Sequence, residues 1–119
     1  MSEPADAAPR GLLPGTVDLL ILRTLSHGPL HGFGISKELR NRSEGFLDLQ
    51  DAALYQALHR MERQGLVTSD WGLTENNRRA RFYELTREGR KRLRAETSYW
   101  ERYAAAVARV LAPAPEREG

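Results

Sequence analysis

The chain contains no cysteine, which excludes a disulfide framework, a thiolate metal site and a cysteine nucleophile. It has no apolar run near the roughly 20 residues that span a bilayer. Met1 to Arg10 is acidic and rich in Ala and Pro. No basic stretch precedes an apolar core there, so no secretory signal is expected and the cytoplasm is the expected compartment. Histidine is scarce as well: His27 and His31 stand four apart, but Gly28-Pro29 lies between them and breaks any helix that would align them on a metal. No nucleophile or paired carboxylate is placed beside His59. An enzyme is therefore not expected, and neither a metal nor a cofactor is called for.

What is present suits one small domain. The 119 residues are 40% hydrophobic and 29% charged, and a chain of this length builds a single core. Net charge is only +2, but its distribution is uneven. From Arg78 to Arg94 eight basic residues (Arg78, Arg79, Arg81, Arg87, Arg90, Lys91, Arg92, Arg94) face two acidic ones, Glu84 and Glu88. Such a stripe either neutralises phosphates or serves as a solvated face.

Residues 1–13 read as a flexible arm and residues 112–119 as a disordered tail, both rich in Ala and Pro. After Pro14-Gly15, Thr16 is placed to cap a helix over about Thr16 to Ser26, apolar around most of its circumference and so expected to be buried on several sides. A second helix fits Gly32 to Arg42, with Ile35 and Leu39 on one face. Gly32 and Gly34 suggest close backbone packing there. A third helix fits Asp51 to Gln64. Leu54, Leu58 and Met61 recur at i, i+4 and i+7 with Ala57 beside them, and Gly65 stands at its C-terminal stop.

Beyond Gly65 the period changes. Leu66–Trp71 and Ala80–Leu85 have the β-branched and aromatic character of strands. Gly72 to Arg79 between them reads as a polar tip, with Trp71 packed at the hairpin base. Thr86 then caps a long helix to about Leu111, along which Leu93, Trp100 and Val107 recur every seven residues.

Three helices, a hairpin and a further helix form the winged helix-turn-helix order, mainly α with a small β-hairpin. The expected division is a domain over 14–85 and a dimerisation helix over 86–111. In this architecture the third helix enters the major groove. The stripe of Leu54, Leu58 and Met61 would turn Tyr55, Gln56, His59, Arg60 and Arg63 outward, where Gln suits adenine and Arg suits guanine. The hairpin would bring Arg78, Arg79 and Arg81 to phosphates or a minor groove.

Leu54-Tyr55-Gln56-Ala57-Leu58-His59-Arg60-Met61-Glu62-Arg63-Gln64-Gly65-Leu66-Val67 resembles the recognition helix of PadR-family regulators. Arg79-Ala80-Arg81-Phe82-Tyr83-Glu84-Leu85-Thr86-Arg87-Glu88-Gly89 is similar to that family's second wing strand and last-helix entry. Gly28-Pro29-Leu30-His31-Gly32-Phe33-Gly34-Ile35 resembles its turn into the second helix. Trp71-Gly72 followed by Glu75-Asn76-Asn77-Arg78-Arg79 is similar to an acidobacterial branch. The resemblance covers about Leu13 to Leu111. It departs where family members carry Gly, then Ser or Thr, before the Leu-Tyr and Pro after it. Here those positions are Ala52, Ala53 and Gln56, which shifts phosphate anchoring toward Tyr55 and the wing and makes Gln56 a candidate base reader.

The resemblance implies a transcriptional regulator, a homodimer on a pseudo-palindromic operator, paired through the last helix as in the shorter PadR subfamily. Independently, a helix carrying Leu93, Trp100, Tyr103, Val107 and Leu111 exposes more apolar surface than one small domain covers, and Thr97 and Ala104 flank these residues in the expected dimer interface. A Trp100 pair across the two-fold would suit a small, flat aromatic effector that releases a repressor. Two alternatives stay open: a MarR-like regulator, and a winged helix used for protein contacts alone.

Overall fold

The computed structural model describes residues 12–115. Most of the expected arm, and the end of the expected tail, therefore lie outside the described residues. The helices are α1 (Val17–Leu25), α2 (Gly32–Arg42), α3 (Asp51–Arg63) and α4 (Arg87–Leu111), and the strands are β1 (Leu30–His31), β2 (Val67–Leu73) and β3 (Arg79–Leu85). This is a winged helix: three packed helices, an antiparallel wing and a long fourth helix.

The core follows from the apolar periods. Leu19, Ile21, Leu22 and Leu25 bury much of α1, which packs on α2, α3, α4 and β3. Ile35 and Leu39 of α2 and Leu54, Ala57, Leu58 and Met61 of α3 close the same core. Truncating Leu58 or Met61 to Ala would cost about 2–5 kcal/mol. Leu12, at the edge of the expected arm, also packs against this cluster.

Thr16 does precede α1, but it makes no side-chain cap bond. Its hydroxyl turns back and donates to Leu13 O at 2.7 Å. The helix that uses a histidine as cap is α2, where His31 Nδ1 accepts from Gly34 N at 2.9 Å. His27 sits apart, with Nε2 3.5 Å from Arg42 Nη1. Gly65, at φ +78°, takes the left-handed turn after α3, a conformation open to glycine without steric cost.

The sheet has three strands in the order β1-β3-β2, one more than the hairpin expected from sequence. Leu30 and His31 pair with Tyr83 and Phe82. The wing hairpin is also longer than expected. Gly72 and Leu73 pair with Ala80 and Arg79, so the tip narrows to residues 74–78. There Thr74 N donates to Arg78 O and Asn77 N to Thr74 O, both at 2.9 Å. Asn77 adopts φ +64°, which asparagine tolerates better than most residues.

Thr86 joins the wing to α4. Its Oγ1 accepts from Gly89 N at 3.0 Å and donates to Gly65 O at 2.7 Å, while its backbone N–H donates to Leu66 O at 3.0 Å. One residue thus caps α4 and anchors that helix to the turn following α3. Leu93 is 7% exposed and belongs to the chain's own core. That corrects its assignment to the dimer surface: the seven-residue repeat starts on the domain core and only afterwards leaves it. From residue 94 to Leu111 no residue of α4 is buried within the chain.

Candidate nucleic-acid interface

Helix α3 is held by its inner stripe and presents the opposite face. Tyr55, Gln56, His59 and Arg63 are exposed there, as the period of the stripe requires. Tyr55 also lies against α2: its ring and hydroxyl stand so close over Gly32 that a Cβ at that position would collide with them. Gly32 therefore leaves room for the Tyr55 ring where the start of α2 meets α3.

Arg60 departs from the expected outward placement. It lies at the edge of the apolar stripe, three residues after buried Ala57, and its Nη1 and Nη2 donate to Asp18 Oδ2 and Oδ1 at 2.6 and 2.8 Å. The side chains remain 42% and 25% exposed. The Asp18 hydrogen bonds hold the guanidinium pKa above its ordinary value against the opposing effect of burial, and the Asp18 charge adds a lesser push in the same direction. Arg60 thus ties α3 to α1, with both oxygens of Asp18 occupied by its fork.

Arg78, Arg79 and Arg81 are exposed on the wing. Trp71 does not pack at the wing base. It is 53% exposed, and its ring lies 4.5 Å from the Arg79 guanidinium carbon and 5.4 Å from that of Arg81. The correction has a simple cause: Trp71 pairs with Arg81 across the ladder, well up the hairpin and beyond the reach of the core. Sequence reasoning also missed Ser69, whose hydroxyl donates to Glu62 Oε2 at 2.7 Å and accepts from Arg81 Nε at 2.9 Å. No local signal marks it, because the three residues stand on α3, β2 and β3.

The basic run from Arg78 to Arg94 is divided between two elements. Arg78 stands at the tip and Arg79 and Arg81 on β3, whereas Arg87, Arg90, Lys91, Arg92 and Arg94 occupy the exposed first turns of α4. On the other side of the wing His31 meets Phe82 edge-on at 5.1 Å and stacks with exposed Phe33 at 6.3 Å. An exposed polar helix face beside an arginine-bearing hairpin is chemically suited to a polyanionic duplex, with side chains for base edges and guanidinium groups for phosphates.

Comparison with known proteins agrees. Residues 21–95, more than half the chain, match the transcriptional regulator PadR-like family. The chain belongs to the PadR-like family. A transcriptional regulator from Clostridium thermocellum is 30% identical, with a TM-score of 0.75 over 82% of this chain and 95% of that one. A PadR family transcription regulator from Clostridium difficile is 29% identical, with a TM-score of 0.71 over 82% of this chain and 99% of that one. An uncharacterized protein of Lysinibacillus sphaericus is 25% identical over 89 residues, 75% of this chain and 82% of that protein. PadR-like proteins are DNA-binding transcription regulators rather than enzymes. Among the described residues no helix is long and apolar enough to cross a membrane.

Proposed function

We propose that this PadR-like chain is a homodimeric repressor that reads a pseudo-palindromic operator and is released by a small-molecule effector. The observation that carries the reading is the division of α3. Leu54, Ala57, Leu58 and Met61 are buried, while Tyr55, Gln56, His59 and Arg63 are exposed beside a wing bearing Arg78, Arg79 and Arg81. Gln56, His59 and Arg63 then face base edges, Tyr55 reaches a phosphate, and the wing arginines neutralise the flanking backbone. Arg60 leaves the set of base readers and holds α3 at its angle.

The dimer reading draws on α4. Its 25 residues extend about 37 Å, and beyond Leu93 the apolar side chains Tyr99, Trp100, Tyr103, Val107, Val110 and Leu111 are all exposed. Thr97 and Ala104 lie half-buried between them. Pairing across a two-fold would cover this surface and set two α3 helices for two half-sites. Trp100 and Tyr103 have ring centroids 6.1 Å apart, as do Tyr99 and Tyr103. They offer flat faces to an aromatic effector at the axis.

The test is titration of the purified protein onto a duplex from the promoter of its own gene and onto a scrambled duplex of equal composition. Preferential binding at two subunits per site is the expected result. Equal affinity for both duplexes would contradict an operator in that promoter, and failure to bind either would contradict the DNA reading.

A further inference from the structure

Two of the wing arginines are restrained before any ligand arrives. Arg81 Nε donates to Ser69 Oγ at 2.9 Å, and that hydroxyl donates to Glu62 Oε2 at 2.7 Å. Among the described residues, neither Nη1 nor Nη2 of Arg81 makes a hydrogen bond. The Trp71 ring lies within cation–π distance of both Arg81 and Arg79. Arg79 and Arg81 are two apart on one strand, so they share a face and repel each other. An indole face beside them offsets part of that repulsion while leaving hydrogen-bond donors available. A restrained guanidinium also loses less rotamer freedom when it grips a ligand than a free one does.

The chain of contacts links three elements. Glu62 is on α3, Ser69 on β2 and Arg81 on β3, so the same hydrogen bonds that restrain Arg81 tie the wing to the recognition helix. Glu62 makes no ion pair among the described residues; its carboxylate reaches the arginine only through the serine hydroxyl. We propose that Ser69, Glu62 and Trp71 are positioning residues for DNA binding. They hold Arg81 so that its terminal fork takes one backbone phosphate, at a distance from the bases fixed by the link to α3. This rests on the reading that the wing arginines meet DNA.

The experiment measures binding of the full chain to a random-sequence 30-base-pair duplex at several salt concentrations, which needs no knowledge of the operator. The variants are Arg81→Ala, Ser69→Ala and the two together, with Trp71→Ala and Trp71→Phe alongside. Urea curves on each confirm folding. Arg81→Ala loses a phosphate contact, so the salt slope flattens by about 0.9. Ser69→Ala keeps that contact but loosens it: the slope stays, and Kd rises about threefold to tenfold, the range that one net hydrogen bond gives. In the Arg81→Ala background Ser69→Ala has no further effect, and Trp71→Phe retains most of the binding that Trp71→Ala loses.

Equal weakening by Ser69→Ala in both backgrounds would show a purely structural serine and overturn the proposal. So would a Ser69→Ala protein that binds like the parent. If Arg81→Ala changes neither affinity nor slope, the underlying reading of the wing fails instead.

Discussion

Breaking the Asp18–Arg60 pair should cost stability and leave sequence discrimination intact. The perturbations are Asp18→Asn, Arg60→Gln and the double variant. A hydrogen bond to a charged group contributes about 1.5–3 kcal/mol when sheltered, whereas solvent-exposed ion pairs contribute about 0.2–1 kcal/mol. Here the geometry is bidentate, at 2.6 and 2.8 Å, but the side chains are 42% and 25% exposed. The partial exposure discounts the sheltered figure, and a coupling energy of about 1 kcal/mol results. For a domain of this size that corresponds to a fall of about 4 °C in Tm. Urea denaturation at low salt, run as a double-mutant cycle, isolates the coupling. The ratio of affinities for promoter and scrambled duplex should stay within about twofold of the parent's, well under the tenfold that 1.4 kcal/mol represents. A coupling below about 0.3 kcal/mol, the scatter expected of independent sites, would refute the reasoning. Loss of promoter preference in Arg60→Gln without loss of stability would refute it too, because the pair would then have to open on DNA.

Ser36 is buried on α2 and its hydroxyl lacks a hydrogen-bond partner among the described residues. Ser36→Ala should therefore leave urea stability unchanged or raise it by up to about 1 kcal/mol, and a loss larger than that would reveal an unrecognised partner. Tyr83 is 2% exposed. Burial foremost, with the nearby charges of Glu62 and Tyr55, pushes its phenol above the usual range against a smaller pull from Arg81. The folded state thus binds the phenolic proton more tightly than the unfolded one. Its stabilisation is complete below the unfolded pKa and disappears as pH rises through the folded one. Tyr83→Phe should flatten stability against pH on the alkaline side, and an unchanged profile would assign that dependence elsewhere. On α4, Tyr103→Glu should yield folded monomers by sedimentation, whereas Leu93→Ala should lower stability by about 2–5 kcal/mol as a core truncation. A Tyr103→Glu dimer would place the two-fold elsewhere.

The elements with strong local signals could be read from sequence. The stripe at Leu54, Leu58 and Met61 and the glycine stop at Gly65 give α3 its boundaries and its buried face, and Thr86 marks the start of α4. What escaped depends on distant partners. Leu30–His31 becomes a strand only because β3 lies alongside, and two residues carry no period. Arg60 looks like any polar residue of α3 until Asp18, 42 positions earlier, is folded against it. Leu93 fits the seven-residue repeat of α4 as well as Trp100 and Val107 do. Only the packing of the first turns against α1 and β3 separates core from open surface. Trp71 was misplaced because the hairpin is longer than its polar tip suggested, and the ladder register that sets Trp71 opposite Arg81 is a property of the pair of strands.

The most direct test of the central claim is the salt dependence of promoter binding for the parent chain and for a variant with Arg78, Arg79 and Arg81 all changed to Ala. If α3 reads the bases and the wing grips the backbone, the parent binds the promoter with steep salt dependence. The variant's slope is then shallower by about 2.7, at 0.9 for each lost phosphate contact, while the remaining binding still favours the promoter over scrambled DNA. Parallel slopes for the two proteins, or a parent that shows no salt dependence, would contradict the account.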